Sequence, residues 1–150
     1  MKIVDLNILL YAVNSEAPGH ARARAWWERA MNDEETIGLP WVVLLGFLRL
    51  STSPRVFPRP LSPETASAKI DAWLARDHVQ VVREKDDHWD TLKPLVGSAG
   101  TAGNLTTDAH LAALTLSHDA VLVSSDRDFG RYKGLRWENP LRVDVDPDPR

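Results

Sequence analysis

The sequence predicts an α/β domain in which a parallel sheet is covered by helices on both faces. Three observations predict it. Short apolar runs stand at 3–4, 79–82 and 120–123, as expected of strands buried on both sides. Segments with apolar residues at helical spacing separate them. The 150 residues suit one domain, large enough to bury roughly two thirds of its unfolded surface.

The elements follow in order. Ile3 and Val4 read as a strand that stops at Asp5, and 6–13 as a short helix. Pro18 suits a first helical position, and Ala23, Trp27, Ala30 and Met31 follow at helical spacing. Residues 36–39 read as a second strand. The segment 41–50, apolar from Trp41 to Leu48, admits two readings: its adjacent valines favour a strand, its length and Pro40 a buried helix, and the helix is expected. Residues 51–61, with Pro54, Pro58 and Pro60, form a loop. Ser62 and Pro63 then start a helix whose inner face holds Ala66, Ile70, Trp73 and Leu74. Val79, Val81 and Val82 make a strand. Residues 86–96 read as a helix kinked at Pro94, and 97–104 as a glycine-rich loop. Thr107 caps a helix running to about Ser117, 120–123 is a strand ending at Ser124-Ser125-Asp126, and 135–137 is a last short strand. The tail from Leu141, with Asp144, Asp146, Pro147, Asp148 and Pro149, is expected to fray, which sets the domain at 1–141 and the tail at 142–150.

Composition removes several classes of function. There is no cysteine, hence no disulfide framework, thiolate metal site or cysteine nucleophile. The net charge of -3 is not that of a nucleic-acid protein that binds by bulk charge. A polyanion then needs a local basic patch or a bound cation. The N-terminal apolar run is broken by Asp5 and Asn7, and the apolar segment from Trp41 to Leu48 is far short of the roughly 18 residues of a membrane span. The expectation is a soluble cytoplasmic protein.

Ligands of open parallel sheets bind beyond the carboxyl ends of the strands. Asp5 ends the first strand, Asp126 follows the Val121-Leu122-Val123 strand, Asp128 lies two residues on, and Asp108 sits in the first turn of the preceding helix. Each alone is readily explained as a helix or turn cap. Gathered at one edge, they repel unless a cation or protonation relieves them. Aspartates without histidine or cysteine partners suit magnesium or manganese, which catalyse phosphodiester hydrolysis. Asn7, near Asp5, is placed to hold a water or the scissile phosphate.

Three motifs in this order, Val4-Asp5-Leu6-Asn7-Ile8-Leu9-Leu10-Tyr11-Ala12, Thr107-Asp108-Ala109-His110-Leu111-Ala112-Ala113-Leu114 and Ser125-Asp126-Arg127-Asp128-Phe129, resemble the PIN-domain ribonucleases. More narrowly they are similar to VapC toxins of type II toxin–antitoxin systems. The stretch from Gly38 to Arg49 and the ending Gly134-Leu135-Arg136-Trp137-Glu138-Asn139-Pro140 resemble one subgroup of them. The resemblance implies a three-layer α/β/α sandwich with a central parallel sheet. It implies a Mg2+- or Mn2+-dependent endoribonuclease that inhibits translation, a VapB-type antitoxin that blocks the site, and a homodimer. It makes Asp5, Asp108 and Asp126 the metal-binding acids, with Asp128 as an accessory. Many members carry a glutamate in the helix corresponding to 41–50; here that place is Gly46, and one negative charge is missing.

Other signals are weaker. Arg49, Arg55 and Arg59 lie in an acid-free stretch, placed either to hold RNA phosphates or simply as solvated surface. Arg22, Arg24 and Arg29 read as a solvated helix face. Trp27, Trp73 and Trp89 read as core, while Trp41 and Trp137 stay open between core and base stacking. The helix around 42–47 reads as part core and part dimer interface. Gly97, Gly100 and Gly103 have the wrong spacing for a phosphate loop, and the five histidines show no paired zinc spacing. Ser124 and Ser125 read as partners of the acids or of phosphate. Two rivals to a toxin ribonuclease remain: a catalytically weak binding module lacking the acid at Gly46, and a phosphoryl-transfer enzyme with Asp5 as nucleophile.

Overall fold

The computed structural model describes residues 1–98 and 105–143. Five parallel strands run in the order β3-β2-β1-β4-β5. They are β1 (Lys2–Val4), β2 (Ile37–Pro40), β3 (Val79–Val82), β4 (Val121–Val123) and β5 (Trp137–Glu138). The helices are α1 (Leu6–Val13), α2 (His20–Asn32), α3 (Trp41–Ser51), α4 (Pro63–Leu74), α5 (His88–Ser98) and α6 (Leu105–Ser117). A 3₁₀ turn spans Arg127–Arg131.

Right-handed crossovers explain the layers. From β1 the chain steps outward through β2 to β3, using α1 to α4. It then returns across the sheet through α5 and α6 to β4, on the other side of β1. Reversing direction with the same handedness moves the second helical set to the opposite face. Accordingly α1 packs on α2 and α3, and α5 packs on α6. The order reverses between β1 and β4, whose residues pair Lys2 with Val121 and Val4 with Val123. A ligand crevice is expected beyond the carboxyl ends of these two strands.

The core is as apolar as the runs predict: Ile3, Val4, Leu39, Leu122 and Val123 are fully buried. On the α1–α4 side Trp27 meets Trp73 edge-on at 5.3 Å, and Trp73 meets Phe47 at 4.8 Å. Gly46 in α3 faces Leu6, and a Cβ there would stand 2.6 Å from Leu6 Cδ2. Two elements crowd at this point, which is why a glycine sits inside a helix.

Several expectations move. Pro18 lies in the turn before α2, whose first flanking residue is Gly19 at φ +81°, a conformation that glycine adopts without strain. Helix α6 begins at Leu105, so Thr107 sits within its first turn rather than capping it. Strand β5 is Trp137–Glu138, shifted toward the C-terminus from 135–137. Trp89 is 62% exposed and not core; α5 has no fully buried residue, so its apolar stripe lies only shallowly on its neighbour. Most of the 97–104 loop and the tail from 144 lie outside the described residues. Among the described residues no helix is long and apolar enough to cross a membrane.

Candidate active site

Asp5 leaves β1 and caps α1. Its backbone N–H still donates to Val123 O (2.9 Å), continuing the β1–β4 ladder. One carboxylate oxygen accepts from Leu6 N (2.7 Å), the other from Ser124 Oγ (2.7 Å). Ser124, fully buried just past β4, joins the two strand ends. Its hydroxyl donates to Asp5 and accepts from Asp126 N (3.0 Å) and, at 3.4 Å, from Asn7 Nδ2. Asn7 Oδ1 in turn accepts from Ser125 N at 3.4 Å. Asp126 caps the 3₁₀ turn by accepting from Asp128 N (2.9 Å). The capping explanation therefore holds for Asp5 and Asp126.

Three members of this network line a cavity of about 300 Å³. Asp5, Asn7 and Asp126 come from the strand edge, Thr107 and Asp108 from α6. Leu10, Val42, Val43, Leu50 and Leu111 supply apolar wall. That wall has an electrostatic consequence. The pKa of Asp108 is raised to about 6, first by burial and then by the nearby charges of Asp126, Asp5 and Asp128, against the opposing effect of Arg131. Asp5 is also raised, chiefly by burial, against the hydrogen bonds from Ser124 and Leu6 N. Tyr132, buried beside the cluster, is raised by burial and then by Asp108.

One carboxylate oxygen from each of Asp108, Asp126 and Asp128 lies within 4.8 Å of the others. Opposite ligands of a six-coordinate magnesium ion lie about 4.2 Å apart, so small side-chain movements would close the three oxygens on one hard cation. The donors are all oxygen, the chemistry a hard cation prefers, and the raised Asp108 reflects burial together with the crowding of like charges. The grouping differs from the trio expected from sequence. Asp5 lines the same cavity but stands apart from the oxygen cluster, with both oxygens already engaged; Asp128 is exposed and also pairs with Arg131 at 3.2 Å.

The remaining expected residues scatter. Ser125 faces a neighbouring groove rather than this cavity. Arg49 is exposed in the last turn of α3 and Arg55 in the loop after it; neither lines the cavity. His110 turns away from Asp108, bonding His88 (2.9 Å) and facing Glu84 (3.3 Å). Arg24 pairs with Glu28 on an exposed helix face. Ser124, expected as a partner of the acids, is one: it donates to Asp5 and accepts from the Asp126 backbone, and its position directly after a buried strand at the ligand edge places it there.

A parallel sheet with a carboxylate pocket at its switch point defines a class: α/β domains that gather acids at the carboxyl edge of their strands. The chain belongs to the PIN domain family, whose model matches residues 2–135. It is 44% identical over 140 residues to ribonuclease VapC37 of Mycobacterium tuberculosis (strain ATCC 25618 / H37Rv), covering 93% of this chain and 97% of that protein. It is 44% identical over 142 residues to ribonuclease VapC33 of the same species (strain CDC 1551 / Oshkosh), covering 95% and 99%. Among solved structures it is similar to VapBC2 from Rickettsia felis bound to a promoter DNA fragment (TM-score 0.66, 20% identity, 92% of this chain and 97% of that one). It is also similar to VapBC-1 from nontypeable Haemophilus influenzae (TM-score 0.67, 16% identity, 94% and 98%).

Proposed function

We propose that this chain is the toxin of a type II toxin–antitoxin pair, an endoribonuclease that uses Mg2+ or Mn2+ and inhibits translation by cutting RNA. The observation that carries the reading is the convergence of Asp5 with Asp108 and Asp126, both more than a hundred positions further along the chain, on one cavity that crowds their negative charges. The relatives named as VapC ribonucleases support it along nearly the whole chain. The VapBC structures support a VapB-type antitoxin as partner. The adjacent exposed pair Trp41 (47%) and Leu45 (58%) on one face of α3 supports a homodimer. A cytoplasmic location follows from such a role.

In this reading Asp108 and Asp126 hold the ion, Asp128 closes the cluster from the exposed side, and Asp5 faces them from the buried side. When bound, the ion polarises a phosphoryl oxygen and lowers the pKa of a water. Asn7, fixed by Ser124 and Ser125, orients a water or a phosphate oxygen. Ser124 keeps Asp5 and the Asp126 backbone in place. The apolar wall lowers the local polarity on one side of the cavity and so strengthens these interactions. The test is purified protein on structured RNA with Mg2+ or Mn2+. Loss of cleavage in Asp5→Ala is expected; unchanged cleavage refutes the mechanism.

One observation favours a second reading, a catalytically weak module. Gly46 is buried against Leu6, and α3 gives the cavity only Val42, Val43 and Leu50, so no acid enters from that side. A fully active protein rules this out. A phosphoryl-transfer enzyme is not supported, since no lysine lines the cavity and both Asp5 oxygens are engaged.

A further inference from the structure

Beside the carboxylate cavity, across Ser125, lies a larger open groove of about 1150 Å³. Small-molecule pockets are typically about 300–1,000 Å³, so the groove suits a chain-like ligand better than a metabolite. Its walls include Tyr11, Trp137, Arg127, Arg142 and Glu138.

Four features bear on what fills it. First, it is continuous with the site. Trp137 Nε1 donates to Ser124 O (2.9 Å), the same serine whose hydroxyl holds Asp5, and Ser125 and Arg127 flank Asp126 in sequence. Second, Trp137 is held in orientation. Its indole is fixed by that hydrogen bond, and the ring lies beside Gly130, which places no side chain over it. A fixed indole is a stacking platform available at little entropic cost. Third, the charge is cationic. Glu138 is paired with Lys2 at 2.8 Å, while Arg127 and Arg142 are exposed and have no ion-pair partner among the described residues. Fourth, β5, the edge strand at this groove, is only two residues long, too short to template an added peptide strand.

We propose that this groove carries a single-stranded segment of the RNA substrate to one side of the scissile phosphate. Trp137 and Tyr11 stack on bases, and Arg127 and Arg142 contact phosphates. The assignment rests on the ribonuclease reading above. It explains how a chain of net charge -3 holds a polyanion: the cations are local and stand next to the reacting centre.

The test is binding of a labelled single-stranded oligoribonucleotide of about ten nucleotides, with chelator present, across about 50–200 mM salt. Arg127→Gln/Arg142→Gln is expected to reduce the slope of log affinity against log salt by about 1.4, two phosphates at about 0.7 each. Arg24→Gln, on a remote exposed face, leaves the slope as it was. Trp137→Leu weakens binding about fivefold or more, and Trp137→Phe, which still stacks, recovers most of the loss. An unchanged slope in the double arginine variant overturns the proposal whether or not the Trp137 variants fold. So does unchanged RNA affinity together with an antitoxin that no longer copurifies, which assigns the groove to a protein. If the wild-type chain neither binds nor cuts RNA, the ribonuclease reading fails and takes the groove with it. If the wild type cuts RNA and the groove variants bind like it, only the groove assignment fails.

Discussion

Neutralising Asp108 should stabilise the ion-free protein. In the unfolded chain its carboxyl has an ordinary pKa of 3.8; in the fold, burial and three neighbouring acids bring it to about 6. That gap corresponds to roughly 3 kcal/mol at 1.36 kcal/mol per pH unit. Asp108 is only part-buried, so solvent screening reduces the figure to about 1–2 kcal/mol. The sign follows from proton binding. Between pH 3.8 and about 6 the folded state holds the proton and the unfolded state does not, so stability falls as pH rises through this window. Above it the penalty is constant. Asp108→Asn removes the penalty. Urea denaturation with chelator at pH 7.5 should therefore show the variant more stable by about 1–2 kcal/mol, or about 2–8 °C in Tm. Near pH 4 the two proteins should nearly coincide. Added Mg2+ should reverse the order, because an ion held by Asp108, Asp126 and Asp128 stabilises the wild type more. An Asn variant that is less stable at pH 7.5 in chelator, or a gap that is the same at both pH values, refutes the electrostatic account of the site.

Ser124→Ala leaves Asp5 and the Asp126 backbone without their shared partner. It should cost about 1.5–3 kcal/mol in stability and about 10–100-fold in metal affinity or cleavage, read from the Mg2+ dependence of RNA cutting. Asp5→Asn keeps a competent cap on α1 and should stay within about 1 kcal/mol of wild type, while Asp5→Ala loses about 1 kcal/mol more. Both should lose at least about tenfold in cleavage, which separates the cap from the chemistry. Gly46→Glu drives a side chain into Leu6 and should destabilise by about 1–3 kcal/mol; Leu6→Ala in the same chain should restore most of it in thermal denaturation. A rise in cleavage in that double variant supports the weak-module reading.

The legible and illegible parts of this site divide on a physical line. Asp5 and Asp126 could be read because a parallel sheet puts its ligand edge where apolar strands stop, and both aspartates stand at such a stop. The acid-free stretch holding Arg49 and Arg55 carried no such constraint, because charge along a loop says nothing about which way the loop turns. Trp89, Leu92 and Val96 have true helical spacing, yet Trp89 is exposed. Spacing identifies a face, and the depth of the neighbouring element decides how much of it is covered. Ser124 and Ser125 are the sharpest case. Side chains alternate at a strand end, so one serine turns to the acids and its neighbour to the adjacent groove. Adjacent residues of one type cannot be told apart until the register is known.

That register also links stability to activity. The hydrogen bonds that close the gap between β1 and β4 at their carboxyl ends run through Asp5, Ser124 and Asp126. These groups hold the topological reversal together, and they are also the ones whose charges repel. The fold therefore brings its acids together by satisfying some of their oxygens with N–H and O–H donors, and the proposed cation would take up the others. An apolar sequence at these positions would join the strands with less strain, but it would have nothing to offer a phosphate-bound ion. The destabilisation expected from Asp108 is what the proposed metal-binding edge would show, and on that reading its disappearance when Mg2+ is added ties this sheet to catalysis.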